Sequence, residues 1–412
     1  MIPKPNQYKQ KYRKSIFRLI GFGLILVIIG SCQTMKQVGK TVDRTVKGKS
    51  VDTKGIESAL ARDAEQITKE LNELKREFEK VLAKFKGDIK KRWGKEEIKV
   101  AKRTVYVKYT QDYRCRAVVD FDHGTVMVES LDEQDPKGSL KSAIVTTLLT
   151  PINPQGVDLF SDRNIPLSEG KQPYLLGLVL DESGRPINDM EQAERYAASL
   201  IKKQMKIRTI PTENENRTAH YVKILMVANF ESKKAEKYKD SVIRYAGQYK
   251  ISPSLVFAVI RTESNFNPYA VSSVPAYGLM QLVPSSGGRA AYRRAKGSDK
   301  APSREYLFVP EQNIELGTAY LNVLNYNELE KISNPISREY CVISAYNTGP
   351  GNVLRTFSRN STEAFKEINS MDPEALYEQL ISSLPYRETR RYLPKVLLYR
   401  KQFAAISAEE KL

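Results

Sequence analysis

The chain has 412 residues, enough for two or three domains with separate cores, and its 41% hydrophobic and 28% charged residues are those of an ordinary folded protein. Its net charge of +18 calls for a polyanionic neighbour: nucleic acid, anionic lipid or a cell wall carrying lactyl-peptide carboxylates. With two histidines, and Cys115 and Cys341 as the cysteines beyond residue 32, the chain lacks the ligands of an ordinary zinc site, so metal catalysis is not expected. Both thiols read as small buried apolar side chains.

Six cations, Lys4, Lys9, Lys11, Arg13, Lys14 and Arg18, precede the apolar run from Leu19 to Ile29, and Gly30-Ser31-Cys32 follows it. A basic segment, a short apolar core and small residues before a cut are the parts of an export signal. The run is too short for a comfortable membrane span. Ile29-Gly30-Ser31-Cys32 resembles a bacterial lipobox, which implies that 1–31 is a lipoprotein signal peptide and Cys32 the acylated first residue of the mature chain. An uncleaved anchor with an incidental cysteine is the alternative. Gln33 rather than Asp after the cysteine then implies sorting to the outer membrane, with the chain on its periplasmic face. Export also argues against nucleic acid as the partner of the basic surface.

Residues 32–55 read as a polar tether. From Ile56 to Phe85, apolar residues recur at a spacing near 3.5 among Lys, Glu and Arg, which predicts a helix. It can be a stalk or coiled coil, or an amphipathic helix packed on the next domain. Near Val100 the period becomes two. Ala117–Phe121 and Thr125–Val128 flank Asp122-His123-Gly124 as a hairpin. Further elements are expected as a helix around Leu140–Leu149, a strand from Tyr174 to Leu180, a helix from Met190 to Met205 and a strand from His220 to Ala228. Residues 56–230 thus form a helix plus an α+β domain with no catalytic constellation of its own, a spacer or binding module. From Lys233 onward the pattern is helical, and the fold class is α+β overall.

Ser252-Pro253 reads as an N-cap followed by proline at the first helical position. Leu255, Val256, Val259 and Ile260 form an apolar stripe, and Glu263 follows Ile260, Val259 and Val256 by three, four and seven residues. Its carboxyl therefore lies on the apolar face near the helix C-terminus, before Asn267-Pro268. Desolvation and the negative end of the helix dipole both raise its pKa, as a general acid for a glycosidic oxygen requires. On spacing alone, a glutamate swung out to solvent is the competing reading.

Glu263-Ser264, Gly278-Leu279-Met280-Gln281, Ala345-Tyr346-Asn347-Thr348-Gly349 and Glu388-Thr389-Arg390-Arg391-Tyr392 occur in that order. This series resembles the motifs of the family 1 lytic transglycosylases, which have a lysozyme-like all-α catalytic domain, here covering 235–405. The preceding α+β segment, through Tyr106-Val107-Lys108-Tyr109-Thr110 and Asp122-His123-Gly124-Thr125, is similar to the N-terminal domain of a membrane-bound branch of that family. The resemblance implies Glu263 as catalytic acid and then base, Ser264 supporting it, Met280 and Gln281 near the scissile bond, and Tyr392 holding Glu263. Without the family, core is an alternative for Met280, a core tyrosine and helix cap for Tyr346 and Asn347, and solvated side chains for Arg390 and Arg391. The backbone of Gly278 offers a close approach to a sugar.

Ordinary glycosidases use two carboxylates, whereas these motifs supply one. The resemblance implies cleavage of the β-1,4 bond between N-acetylmuramic acid and N-acetylglucosamine in peptidoglycan strands, giving 1,6-anhydro ends with no cofactor. Two alternatives are a goose-type lysozyme-like hydrolase, with Glu388, Glu311 or Glu315 as second carboxylate, and a non-catalytic wall-binding lipoprotein.

Overall fold

The computed structural model describes residues 53–154, 157–167, 170–272 and 276–404. The signal segment, Cys32 and most of the tether lie outside them. The chain divides at Leu74, within the 41-residue helix α1 (Thr53–Trp93), and the unit from Lys75 onward holds the sheet and all the later helices.

The α1 residues Phe85, Ile89 and Trp93 are buried, with Phe78 and Leu82 packed against the same core. Phe85 meets Tyr109 edge-on at 5.7 Å and Phe160 at 5.8 Å. This stretch of α1 is thus an amphipathic helix docked on the sheet domain, the second of the two readings its spacing allowed.

Strands β1 (Val105–Thr110), β2 (Cys115–Asp120), β3 (Thr125–Ser130), β4 (Lys206–Pro211) and β5 (Asn216–Leu225) form an antiparallel sheet in the order β1-β2-β3-β5-β4. The Asp120 carboxylate accepts the backbone N–H groups of Asp122 and His123, shaping the β2–β3 turn, and Gly124 completes it at φ 61°. Helices α2 (Pro136–Leu149) and α3 (Met190–Gln204) pack on this sheet, each begun by an aspartate cap, Asp135 and Asp189. The expected strand at 174–180 is not one. Gly177 at φ 72° folds the apolar run back on itself, leaving single bridges Leu176–Val179 and Leu180–Pro186. The edge strand β4 escaped prediction because its alternation is weak, with Lys206 exposed and Ile207 62% exposed.

Arg116, fully buried, joins Glu129 at 2.6 Å and Glu97 at 2.8 Å, and its guanidinium stacks 3.9 Å from the Trp93 ring. Arg208 from β4 closes the network with 2.7 Å and 2.8 Å pairs to Glu97 and Glu129. Each charge of this network therefore has a partner; the 97 loop and three strands share one set of ion pairs, and α1 joins it through the Trp93 ring.

The remainder is helical: α4 (Phe230–Glu236), α5 (Lys239–Tyr249), α6 (Pro253–Ser264), α7 (Arg289–Lys296), α8 (Arg304–Phe308), α9 (Pro310–Val323), α10 (Pro335–Thr348), α11 (Pro350–Arg355), α12 (Ser361–Ser370), α13 (Pro373–Ser383) and α14 (Arg387–Gln402). Helix α6 runs through the middle, buried from Ser254 to Ile260 and packed on α14 and α5. The whole is α+β, a sheet domain followed by an all-helical one. Among the described residues no helix is long and apolar enough to cross a membrane.

Candidate active site

Helix α6 begins at Pro253 as expected, although the Ser252 hydroxyl bonds Ser254 rather than the backbone. It ends earlier than Asn267-Pro268. Asn265 adopts the left-handed conformation at φ 47° and its N–H caps the Arg261 carbonyl. Glu263 therefore sits one residue before the helix end and is 5% exposed. Burial pushes its pKa up to about 7. The Arg103 guanidinium and the Tyr392 hydroxyl pull the other way, Glu388 raises it further, and Lys395 lowers it slightly. Such a carboxyl exchanges a proton readily near neutrality.

Tyr392, on α14, is buried beside Glu263. Its hydroxyl influences the Glu263 pKa, yet at this geometry it forms no full hydrogen bond. Burial, reinforced by the Glu263 charge, holds the phenol well above its usual pKa, so it remains a donor.

The other motif residues form a scaffold behind the acid. The Ser264 hydroxyl, fully buried, donates to the carbonyls of Leu279 at 2.7 Å and Ile260 at 3.1 Å, so it ties the end of α6 to the 277–282 loop and faces no solvent. Tyr346, on α10, donates to the Met280 carbonyl at 2.9 Å from the far side of that loop. Met280 is fully buried, its side chain packed so closely on Gly317 that a Cβ there would overlap it. Gln281 adopts φ 49°, and its amide donates to Ala270 and Gly278, leaving Oε1 without a partner. Asn347 accepts from Thr389 at 2.7 Å, joining α10 to α14. Gly278 at φ 77° makes room for the Leu307 carbonyl and Asn313, both interior groups, rather than for a sugar.

Sequence reasoning missed Asn313. Fully buried, it accepts from Met280 N at 2.7 Å and donates to the carbonyls of Tyr277 at 2.9 Å and Leu307 at 2.7 Å, tying two backbone groups of the loop to one of α8.

It also missed the contribution of the sheet domain. Arg103, just ahead of β1, places Nη1 3.5 Å from Glu263 Oε2 and 2.9 Å from Glu388 Oε1. The turn after α6 is bonded to the same region: Asn265 donates to Phe121 O and Asp122 Oδ1, each at 2.9 Å, and Asn267 to Arg103 O at 3.0 Å. Tyr269 donates to Pro151 O and its ring lies 5.0 Å from Tyr106. The domain read as a spacer or binding module thus borders the acid. The carboxylates considered as a second catalytic group are engaged elsewhere: Glu388 with Arg103, Glu311 with Arg244, and Glu315 with Lys296 at 2.7 Å. No cluster of three or more potential metal ligands occurs among the described residues.

Residues 67–237 match the family profile described as the N-terminal domain of membrane-bound lytic murein transglycosylase C, and residues 240–369 that of the transglycosylase SLT domain. Over 327 residues, covering 79% of this chain and 90% of the relative, the chain is 42% identical to membrane-bound lytic murein transglycosylase C of Sodalis glossinidius. This chain belongs to the membrane-bound lytic murein transglycosylase C family. A second member, from Klebsiella pneumoniae, is 42% identical over 79% of this chain and 89% of its own. Among solved structures, the 70 kDa soluble lytic transglycosylase of Escherichia coli shares 32% identity at a TM-score of 0.31, over 40% of this chain and 23% of that longer one. As a lytic murein transglycosylase, the protein is an enzyme that acts on peptidoglycan.

Proposed function

We propose that Glu263 is the single catalytic carboxyl and that the reaction is non-hydrolytic. Glu263 protonates the oxygen linking N-acetylmuramic acid to N-acetylglucosamine, and the C1–O bond breaks. The muramic acetamido group supports the positive C1. Ionised Glu263 then takes the proton of that sugar's C6 hydroxyl as O6 bonds to C1, leaving a 1,6-anhydro end and a regenerated acid, with no water consumed. No cofactor enters these steps. One observation carries the reading: Glu263 is buried and its pKa stands at about 7, so it can both give and accept a proton near neutrality.

The pairing of Glu388 with Arg103 favours this route over hydrolysis of the lysozyme type, since a carboxylate held by a guanidinium is a poor base for water. In the same reading Tyr392 donates to Glu263 once it is ionised. Ser264, Met280, Gln281, Tyr346 and Asn347 hold the loop and helix ends that shape the site. We further propose that Cys32 carries the lipid and holds the enzyme on the periplasmic face of the outer membrane. The lipobox-like segment supports this, together with the membrane-bound naming of the relatives.

Mass spectrometry of digested sacculi tests the chemistry. Anhydro products lacking one water mass support it, and products carrying the added water refute it. The Glu263→Gln enzyme should release almost nothing, whereas a non-catalytic wall-binding protein would be indifferent to that change.

A further inference from the structure

The inward side of α14 serves the active site through Thr389 and Tyr392, while its solvent side lines a groove of about 620 Å³ beside the end of α13. Four cations surround it, Arg387, Arg390, Arg391 and Lys395, above apolar surface from Pro394 and the 57% exposed Leu398. No acid lines it, and among the described residues none of the four cations forms an ion pair.

Arg390 donates to the Leu384 carbonyl and Lys395 lies 5.6 Å from the Tyr399 ring, but stability gives no reason for Arg387 and Arg391. Arg387, Arg391 and Lys395 follow one another at i,i+4 on one helix face, where like charges destabilise a helix. Arg387 and Arg390 also fall in the first turn, where the helix dipole disfavours cations. A groove of unpaired cations over apolar surface suits a ligand that carries carboxylates on a short, partly apolar chain.

We propose that this groove binds the carboxylate-bearing stem peptides of the murein strand while the glycan lies over Glu263. The proposal rests on the reading of Glu263 as the cleaving acid and adds the substrate's second feature. Lys395 connects the two regions: it lines the groove and lies close enough to influence the Glu263 carboxyl. Every muramic acid bears its peptide on the lactyl group, so a strand seated at Glu263 carries its anionic peptides past the same helix. Exposed Arg387 and Arg391 then act on affinity, through charge, and leave the bond-breaking step alone.

The test compares two substrates on the full-length enzyme: intact murein strands and strands stripped of peptide by an amidase. The double variant Arg387→Gln/Arg391→Gln should raise the KM for intact strands about fivefold, the size expected for two exposed charge pairs lost, with kcat unchanged. Stripped strands should be cleaved as by the wild type, which also shows that the variant is folded and that the Glu263 reading stands. Arg391→Lys alone should keep most of the affinity, and rising salt should erase the difference between wild type and double variant. Equal losses on both substrates would overturn the proposal, as would unchanged kinetics on both. So would unchanged kinetics accompanied by lost binding to phosphatidylglycerol vesicles, which would assign the cations to a membrane surface.

Discussion

Arg103 Nη1 stands between two carboxylates, 3.5 Å from Glu263 Oε2 and 2.9 Å from Glu388 Oε1. One guanidinium is thus shared between a buried acid and a largely exposed one, and the two neighbours act on Glu263 with opposite sign.

Because Arg103 holds the Glu263 pKa down, Arg103→Gln should shift the alkaline limb of kcat/KM, which reports loss of the protonated acid, to higher pH by about one unit. Glu388→Gln should move it the opposite way, by a few tenths of a unit, since Glu388 raises that pKa and is well exposed. A pH–rate profile for both variants checks the pair of signs. Shifts in the same direction would contradict the arrangement.

In the wild-type enzyme the alkaline limb should fall near pH 7, the position of the Glu263 pKa. Tyr392→Phe removes a group that favours ionised Glu263, so the limb should rise while kcat drops about tenfold or more, the usual scale of a lost donor at a developing charge. Rate profiles of Tyr392→Phe with intact sacculi measure both effects.

Asn313→Ala leaves Met280 N and Leu307 O without the partner Asn313 gives them, while Tyr277 O keeps the Leu282 N–H at 3.2 Å. Each group left unsatisfied costs about 1–3 kcal/mol, so the variant should lose at least about 2 kcal/mol. Urea unfolding should show a lower midpoint. Activity should fall too, because Ser264 is anchored to the same loop.

Glu97 bears on acid stability. The Arg208 hydrogen bonds, aided by Arg116 and outweighing burial, lower its pKa from 4.5 to about 2. Since the folded pKa is the depressed one, its stabilisation is complete above about pH 4.5 and disappears as pH falls towards 2. Glu97→Gln should flatten the dependence of the urea midpoint on pH across that window while lowering it at pH 7.

The burial of Glu263 was only half legible in the sequence: an apolar stripe at helical spacing placed it on the inner face, but that spacing also allowed a side chain swung out to solvent, and it took the ordered motifs to single the residue out. The supporting residues were legible as motifs, but not their orientation. Nothing in Gly278-Leu279-Met280-Gln281 says that Met280 faces Gly317, or that Gly278 yields space to Leu307 and Asn313. Arg103 was invisible for a different reason. It lies in a basic stretch 160 residues before its partner, and only the tertiary bonds between the sheet domain and the turn after α6 bring them together. The 174–180 segment misled because its apolar residues suit a strand, while a single glycine reverses the chain.

The bonds from Asn265, Asn267 and Tyr269 into the 103, 121 and 151 segments make the two halves inheritors of each other's substitutions. A hybrid that joins the sheet domain of one relative to the helical domain of another should work only when both sides of this seam are carried over together. Its reactivity is thus a property of the join as much as of the helical domain that carries the acid.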